Sequence, residues 1–154
     1  MGIGIFLVFL AGSILLSGVA CRRHLSSDED RMVLERKRIL VGDDSETITT
    51  LLTAALESSG YEVTTASDGH ETYDLGRGGD FDLVIIDKLM PGLLGLEVID
   101  RWHDEGMQTP VIVLTGVDDD RTAVDSLDKG AVDFVRKPFR VPELLARVRH
   151  RLEA

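Results

Sequence analysis

Cysteine is nearly absent: the sequence has one, Cys21, which excludes an intramolecular disulfide framework and any multi-cysteine metal site. Cations are scarce as well, with 17 Lys and Arg against 27 Asp and Glu and a formal net charge of −10. That balance repels a phosphate backbone, so nucleic acid is not expected as a direct partner. The four histidines, His24, His70, His103 and His150, show no ligand spacing and are read as neither metal ligands nor phosphorelay histidines. Internal repeats and low-complexity tracts are missing too. At 154 residues the chain has room for one compact domain and a short extra segment, which excludes a multidomain enzyme. What is present is 44% hydrophobic and 29% charged, enough to bury a core and to exclude wholesale disorder.

One long apolar run does occur. Ile3 to Ala20 carries no charge and consists of Ile, Leu, Val, Phe and Ala broken by Gly and Ser. As a helix it would be about 27 Å long, close to a hydrocarbon core of about 30 Å. Three readings fit it. In the first it is a membrane anchor, and Arg22, Arg23 and His24 behind it place the C-terminal side in the cytoplasm. In the second, Val19-Ala20-Cys21 ends a lipoprotein signal, although Gly18 stands where Leu is usual. In the third, Met32 is the true start and the run lies upstream of it. The expected organisation is a hydrophobic segment over residues 1–21, a charged linker over 22–36 and a folded domain over 37–154, with no room for an output domain after Leu152.

From Arg38 onward, short apolar runs alternate with helical patterns, which predicts an α/β domain with a parallel sheet. Strands are expected at Arg38–Val41, Glu62–Ala66, Leu83–Asp87, Val111–Thr115 and Phe134–Arg136. Ile48, Leu51, Leu52, Ala55 and Leu56 form the stripe of a first helix, ended by Gly60. A second is expected over about His70–Leu75, closed early by Gly76, Gly78 and Gly79. In a third, Leu96, Ile99 and Trp102 face one way, with Trp102 read as a packing residue. The fourth spans about Arg121–Lys129 and the fifth about Pro142–Leu152. Arg147, Arg149 and Arg151 with His150 read as a solvated face of the fifth.

Ligands of an open parallel sheet sit at the carboxyl ends of its strands. There the sequence places Asp43 and Asp44, Asp87, Thr115, and the pair Lys137-Pro138. Three carboxylates so close oppose their own ionisation unless a cation lies between them. Oxygen ligands without His or Cys favour Mg²⁺. With a Lys and a Thr hydroxyl beside them, these are the parts for phosphoryl transfer to a carboxylate, and Asp87 is the candidate acceptor. Taken alone, Asp43-Asp44 would serve equally as a helix cap, and Asp118-Asp119-Asp120 reads as a cap and solvated loop before the fourth helix.

Five pieces, Ile-Leu-Val-Gly-Asp43-Asp44, Leu-Val-Ile-Ile-Asp87-Lys-Leu-Met90-Pro91, Gly95, Val-Leu-Thr115-Gly116 and Asp-Phe134-Val-Arg-Lys137-Pro138-Phe139, stand in one order. In this the chain from about Arg36 to Ala154 resembles the receiver (CheY-like) domains of bacterial two-component response regulators. The resemblance implies a flavodoxin-like, doubly wound five-stranded parallel sheet of order 2-1-3-4-5 with five helices. It also implies that Asp87 is phosphorylated and that Asp44 ligates Mg²⁺ directly. Asp43 would act through water, and the main-chain carbonyl of Leu89 would complete the ligands. Thr115 and Lys137 would each meet a phosphoryl oxygen. Phe134 matches an aromatic switch, with plain core the competing reading, and Lys137-Pro138 is expected to be cis.

Three places depart from the family pattern. Leu94 replaces a polar turn residue, Lys88 replaces an apolar one after the acceptor, and Leu89 and Val117 put two apolar side chains where water would approach. A long-lived phosphorylated state is the expectation. The function implied is a signalling switch, not an enzyme, that takes a phosphoryl group from a histidine kinase or histidine phosphotransfer protein. It would signal by contact with a downstream target protein, or by homodimerisation on phosphorylation. It would work in the cytoplasm, tethered to the membrane if residues 3–20 are an anchor. Two rivals are a phosphorylation-independent docking module and a phosphohydrolase with an aspartyl intermediate. The second lacks the acid/base Asp two residues after the nucleophile, where Leu89 stands. A flavin-binding flavodoxin fits less well, because no hydroxyl- and Gly-rich phosphate loop follows the first strand.

Overall fold

The structure is a computed structural model that describes residues 36–116 and 120–153. The hydrophobic segment, Cys21, the linker up to residue 35, Val117, Asp118 and Asp119 lie outside the described residues. Among the described residues, no helix is long and apolar enough to cross a membrane.

Among the described residues five strands alternate with five helices: β1 (Arg38–Gly42), α1 (Glu46–Ser58), β2 (Glu62–Ala66), α2 (Gly69–Gly78), β3 (Leu83–Asp87), α3 (Gly95–Asp104), β4 (Val111–Thr115), α4 (Asp120–Asp128), β5 (Asp133–Arg136) and α5 (Val141–Glu153). All pairings are parallel and the order is β2-β1-β3-β4-β5, the flavodoxin-like arrangement expected. Because successive strand residues face opposite ways, each central strand feeds two cores. Ile39, Val41, Leu83, Ile85, Ile112 and Leu114 meet Leu52 and Leu56 of α1 and Leu144 and Val148 of α5. On the other face Leu40, Val84, Ile86 and Val113 meet Val98, Ile99 and Trp102 of α3. Trp102 is thus a packing residue, as the spacing implied.

Two expectations need correcting. The second helix does not stop at Leu75 but runs through Gly76 to Gly78. Gly76 is there for space: a Cβ on it would lie 2.2 Å from the Trp102 ring, so the glycine is what lets α2 approach α3. The arginines of α5 are likewise not all a solvated face. Arg147 Nη1 donates to Asp133 Oδ1 at 2.8 Å and Arg151 Nη2 to the Val132 carbonyl at 2.7 Å. Both tie α5 to the start of β5, and Asp133 supplies the anion that draws them in.

Candidate functional site

The register brings the expected residues to one edge. Gly42 pairs with Ile86, Asp87 with Leu114, and Thr115 with Arg136. Asp43 therefore leaves β1 beside Asp87 at the end of β3, while Thr115 ends β4 and Lys137 follows β5. Asp43 and Asp87 are buried and Asp44 is exposed, and one carboxylate oxygen from each lies within 4.8 Å of the others.

Asp43 is held at both oxygens. Oδ1 accepts from the Ser45 N–H at 2.9 Å and Oδ2 from Lys137 Nζ at 2.8 Å. Ser45 also begins α1, its hydroxyl accepting from the Ile48 N–H, so the bend that caps the helix also fixes the carboxylate. Lys137 reaches on to Asp87 Oδ2 at 3.3 Å, joining the ends of β5, β3 and β1 through one ammonium. The Lys137-Pro138 bond is cis.

Burial pushes the Asp87 carboxyl above its ordinary range. The Lys137 charge opposes that, the Asp43 charge reinforces it, and hydrogen bonds from Lys137 and the Leu89 N–H pull it back in part. For Lys137, burial disfavours the ammonium. The hydrogen bond to Asp43 and the charges of Asp87 and Asp43 outweigh it, leaving this group above its ordinary value.

The donor set fits a hard divalent cation and a phosphoryl group. Three carboxylates face one another with a single lysine between the buried pair. Thr115 is 1% exposed, and its Oγ1 is buried without a hydrogen-bond partner among the described residues. A buried hydroxyl of that kind costs about 1–3 kcal/mol, and an anionic oxygen set against it would remove the penalty. Hard oxygen ligands suit Mg²⁺, with Asp44, Asp43, Asp87 and the Leu89 main chain as the residues that would hold it.

A family model described as the response regulator receiver domain matches residues 39–149. The chain belongs to this family. As a receiver it is 45% identical over 116 residues to the uncharacterized transcriptional regulatory protein YkoG of Bacillus subtilis (75% of this chain, 51% of that protein). It is 42% identical over 113 residues to the alkaline phosphatase synthesis transcriptional regulatory protein PhoP of the same organism (73% and 47%). The receiver thus spans about half the length of the curated relatives it matches. Among solved structures it resembles the receiver domain of the Francisella response regulator 1452, with a TM-score of 0.74, 30% identity, and 77% of this chain and 98% of that one covered. Vibrio cholerae chemotaxis protein CheY4 gives a TM-score of 0.69 and 29% identity, with 75% and 98% covered.

Around the receiver's site, Leu89 is 64% exposed at the rim, and Phe134 is half-buried against the core that holds Trp102. Leu94, as the first cap of α3, offers no acceptor. Only the return half of that cap forms, Glu97 Oε2 accepting from the Leu94 N–H at 2.9 Å. The sequence reading missed the Ser45 N–H, which leaves no signal in a side chain. It also missed the start of α2, where Asp68 accepts from the Glu71 N–H and Glu71 from the Ser67 N–H, both at 2.8 Å. The spacing Asp68-x-x-Glu71 was signal enough for that.

Proposed function

We propose that this receiver is a phosphorylation-controlled switch whose phosphoacceptor is Asp87. The observation that carries it is the juxtaposition of three carboxylates, a bridging Lys137 and an unpartnered, buried Thr115 hydroxyl at one sheet edge. An Asp87 oxygen attacks the phosphorus of a phosphohistidine on a histidine kinase or phosphotransfer protein. The O–P bond forms, the N–P bond breaks, and the imidazole leaves and takes a proton from water. Bound Mg²⁺ would neutralise charge on the transferring group. Lys137 is placed to pair with one phosphoryl oxygen and Thr115 Oγ1 to donate to another. Burial of Asp87 shields the product from bulk water, and Leu89 at the rim adds an apolar obstacle.

An apolar groove of about 490 Å³ lies between α1 and the β5–α5 connection, with Ile48, Leu51, Pro138 and Phe139 in its walls, and it includes Lys137, whose ammonium pairs with Asp87. This supports docking of a protein donor. The output we infer is altered contact with a downstream target protein or a second copy, made in the cytoplasm, with Phe134 changing its packing as Thr115 moves toward the phosphoryl group. The chain then acts as a switch whose own aspartate is the group modified. Intact-mass analysis with a small acyl phosphate donor tests this: wild type gains one phosphoryl group in Mg²⁺ and none in a chelator. A folded, Mg²⁺-bound chain that gains none would favour the docking-module reading.

A further inference from the structure

The loop between β3 and α3, residues 88–94, carries the Leu89 main chain and sits between two glycines. On one side the Gly95 N–H donates to the Lys88 carbonyl at 2.9 Å, and a Cβ there would lie 2.2 Å from the Asp87 carbonyl. On the other side is Gly69, the first residue of α2 and no part of the site. Its N–H donates to the Pro91 carbonyl at 3.1 Å. A Cβ on Gly69 would fall 1.8 Å from the Leu93 carbonyl oxygen and 2.6 Å from its carbon. Gly69 has no positive φ, so space alone demands glycine there.

Alanine at this position would force the two backbones apart by about 1.2 Å to reach even the tightest observed contact. The helix is the firmer of the two. Its start is locked by the Asp68, Glu71 and Ser67 bonds, Thr72 packs into the gap over Gly42, and Gly76 sits under Trp102. The loop buries Met90 and Leu93 but exposes Leu89, Pro91, Gly92 and Leu94, so it has more room to yield than the helix start does. Functional groups need placement within about 0.5 Å, so a displacement of this size is enough to spoil a ligand position.

We propose that Gly69 is a positioning residue: a backbone seat in α2 that sets the depth of the 88–94 loop and, through it, the metal side of the site. This rests on the reading of the site given above. The test is calorimetric Mg²⁺ titration of the whole chain carrying Gly69→Ala, beside Gly78→Ala, a glycine of the same helix with nothing within 4 Å of its Cβ. Changes in residues that orient metal ligands weaken affinity about 10–100-fold. Gly69→Ala is therefore expected to weaken Mg²⁺ binding at least about tenfold, and Gly78→Ala to leave it unchanged. If Gly69→Ala does not fold, His70→Ala replaces it. That change strips the ring that lies against Gly92 of the same loop; weaker Mg²⁺ binding is expected, and wild-type affinity overturns the proposal. Wild-type affinity in the folded variant, or an equal loss in Gly78→Ala, overturns the proposal. A wild-type chain that binds no Mg²⁺ overturns the site reading itself, and this inference with it.

Discussion

Replacing Lys137 by Met keeps the aliphatic stem and removes the charge, which isolates the ammonium's part in the site. The ammonium lies 2.8 Å from Asp43 and 3.3 Å from Asp87, with side-chain exposures of 26%, 0% and 12% for the lysine and the two carboxylates. Removing one partner of a buried ion pair typically destabilises by about 3–5 kcal/mol. The lysine's partial exposure lowers that, and Asp43 keeps its Ser45 N–H, so about 2 kcal/mol is expected. In urea, with a slope of about 1–3 kcal/mol/M, the midpoint should fall by roughly 1 M. The one tryptophan, Trp102, is 2% exposed and reports the transition. The loss should shrink on two conditions. Acidification protonates Asp87, whose pKa already lies above its ordinary value, and relieves the repulsion. Saturating Mg²⁺ supplies the missing charge, so the variant should gain more stability from it than wild type does. A change under about 0.5 kcal/mol, indifferent to pH and Mg²⁺, would refute the bridging role.

Other outcomes follow from the same geometry. Because the folded-state pKa of Asp87 is raised, its neutral form stabilises the fold below the ordinary carboxylate pKa. That contribution is lost as pH rises through the raised value. Asp87→Asn should therefore be more stable than wild type at neutral pH, with the difference vanishing near pH 4 in urea melts. Thr115→Val removes an unpartnered buried hydroxyl; stability should hold or rise by up to about 1 kcal/mol while the phosphorylation rate drops at least about tenfold, measured by intact mass against time. Leu89→Gln replaces the apolar rim residue with one that can hold water, and the half-life of the phosphorylated chain should shorten. Gly76→Ala should lower stability by about 1–3 kcal/mol through collision with Trp102, without changing Mg²⁺ affinity.

Strand positions were legible because parallel strands buried on both faces read as short apolar runs, and Leu83–Asp87 and Val111–Thr115 were placed to the residue. The convergence of the candidate site's side chains was legible because they end or follow those strands. What escaped were interactions carried by backbone and by space. Gly76 reads as a breaker in sequence, yet its missing side chain is what lets α2 close on Trp102 of α3. Arg147 and Arg151 read as solvated because their partners, Asp133 and the Val132 carbonyl, lie on a different element. Ser45 holds Asp43 through a main-chain N–H that any non-proline residue would offer.

The most direct test of Asp87 as acceptor is to treat the whole chain with Mg²⁺ and an acyl phosphate donor, trap the product with borohydride, and sequence the peptides. Reduction converts an aspartyl phosphate to homoserine, so homoserine at position 87, and its absence when Mg²⁺ is chelated, is the expected result. Homoserine at another aspartate, or none in a folded chain that binds Mg²⁺, would contradict the assignment.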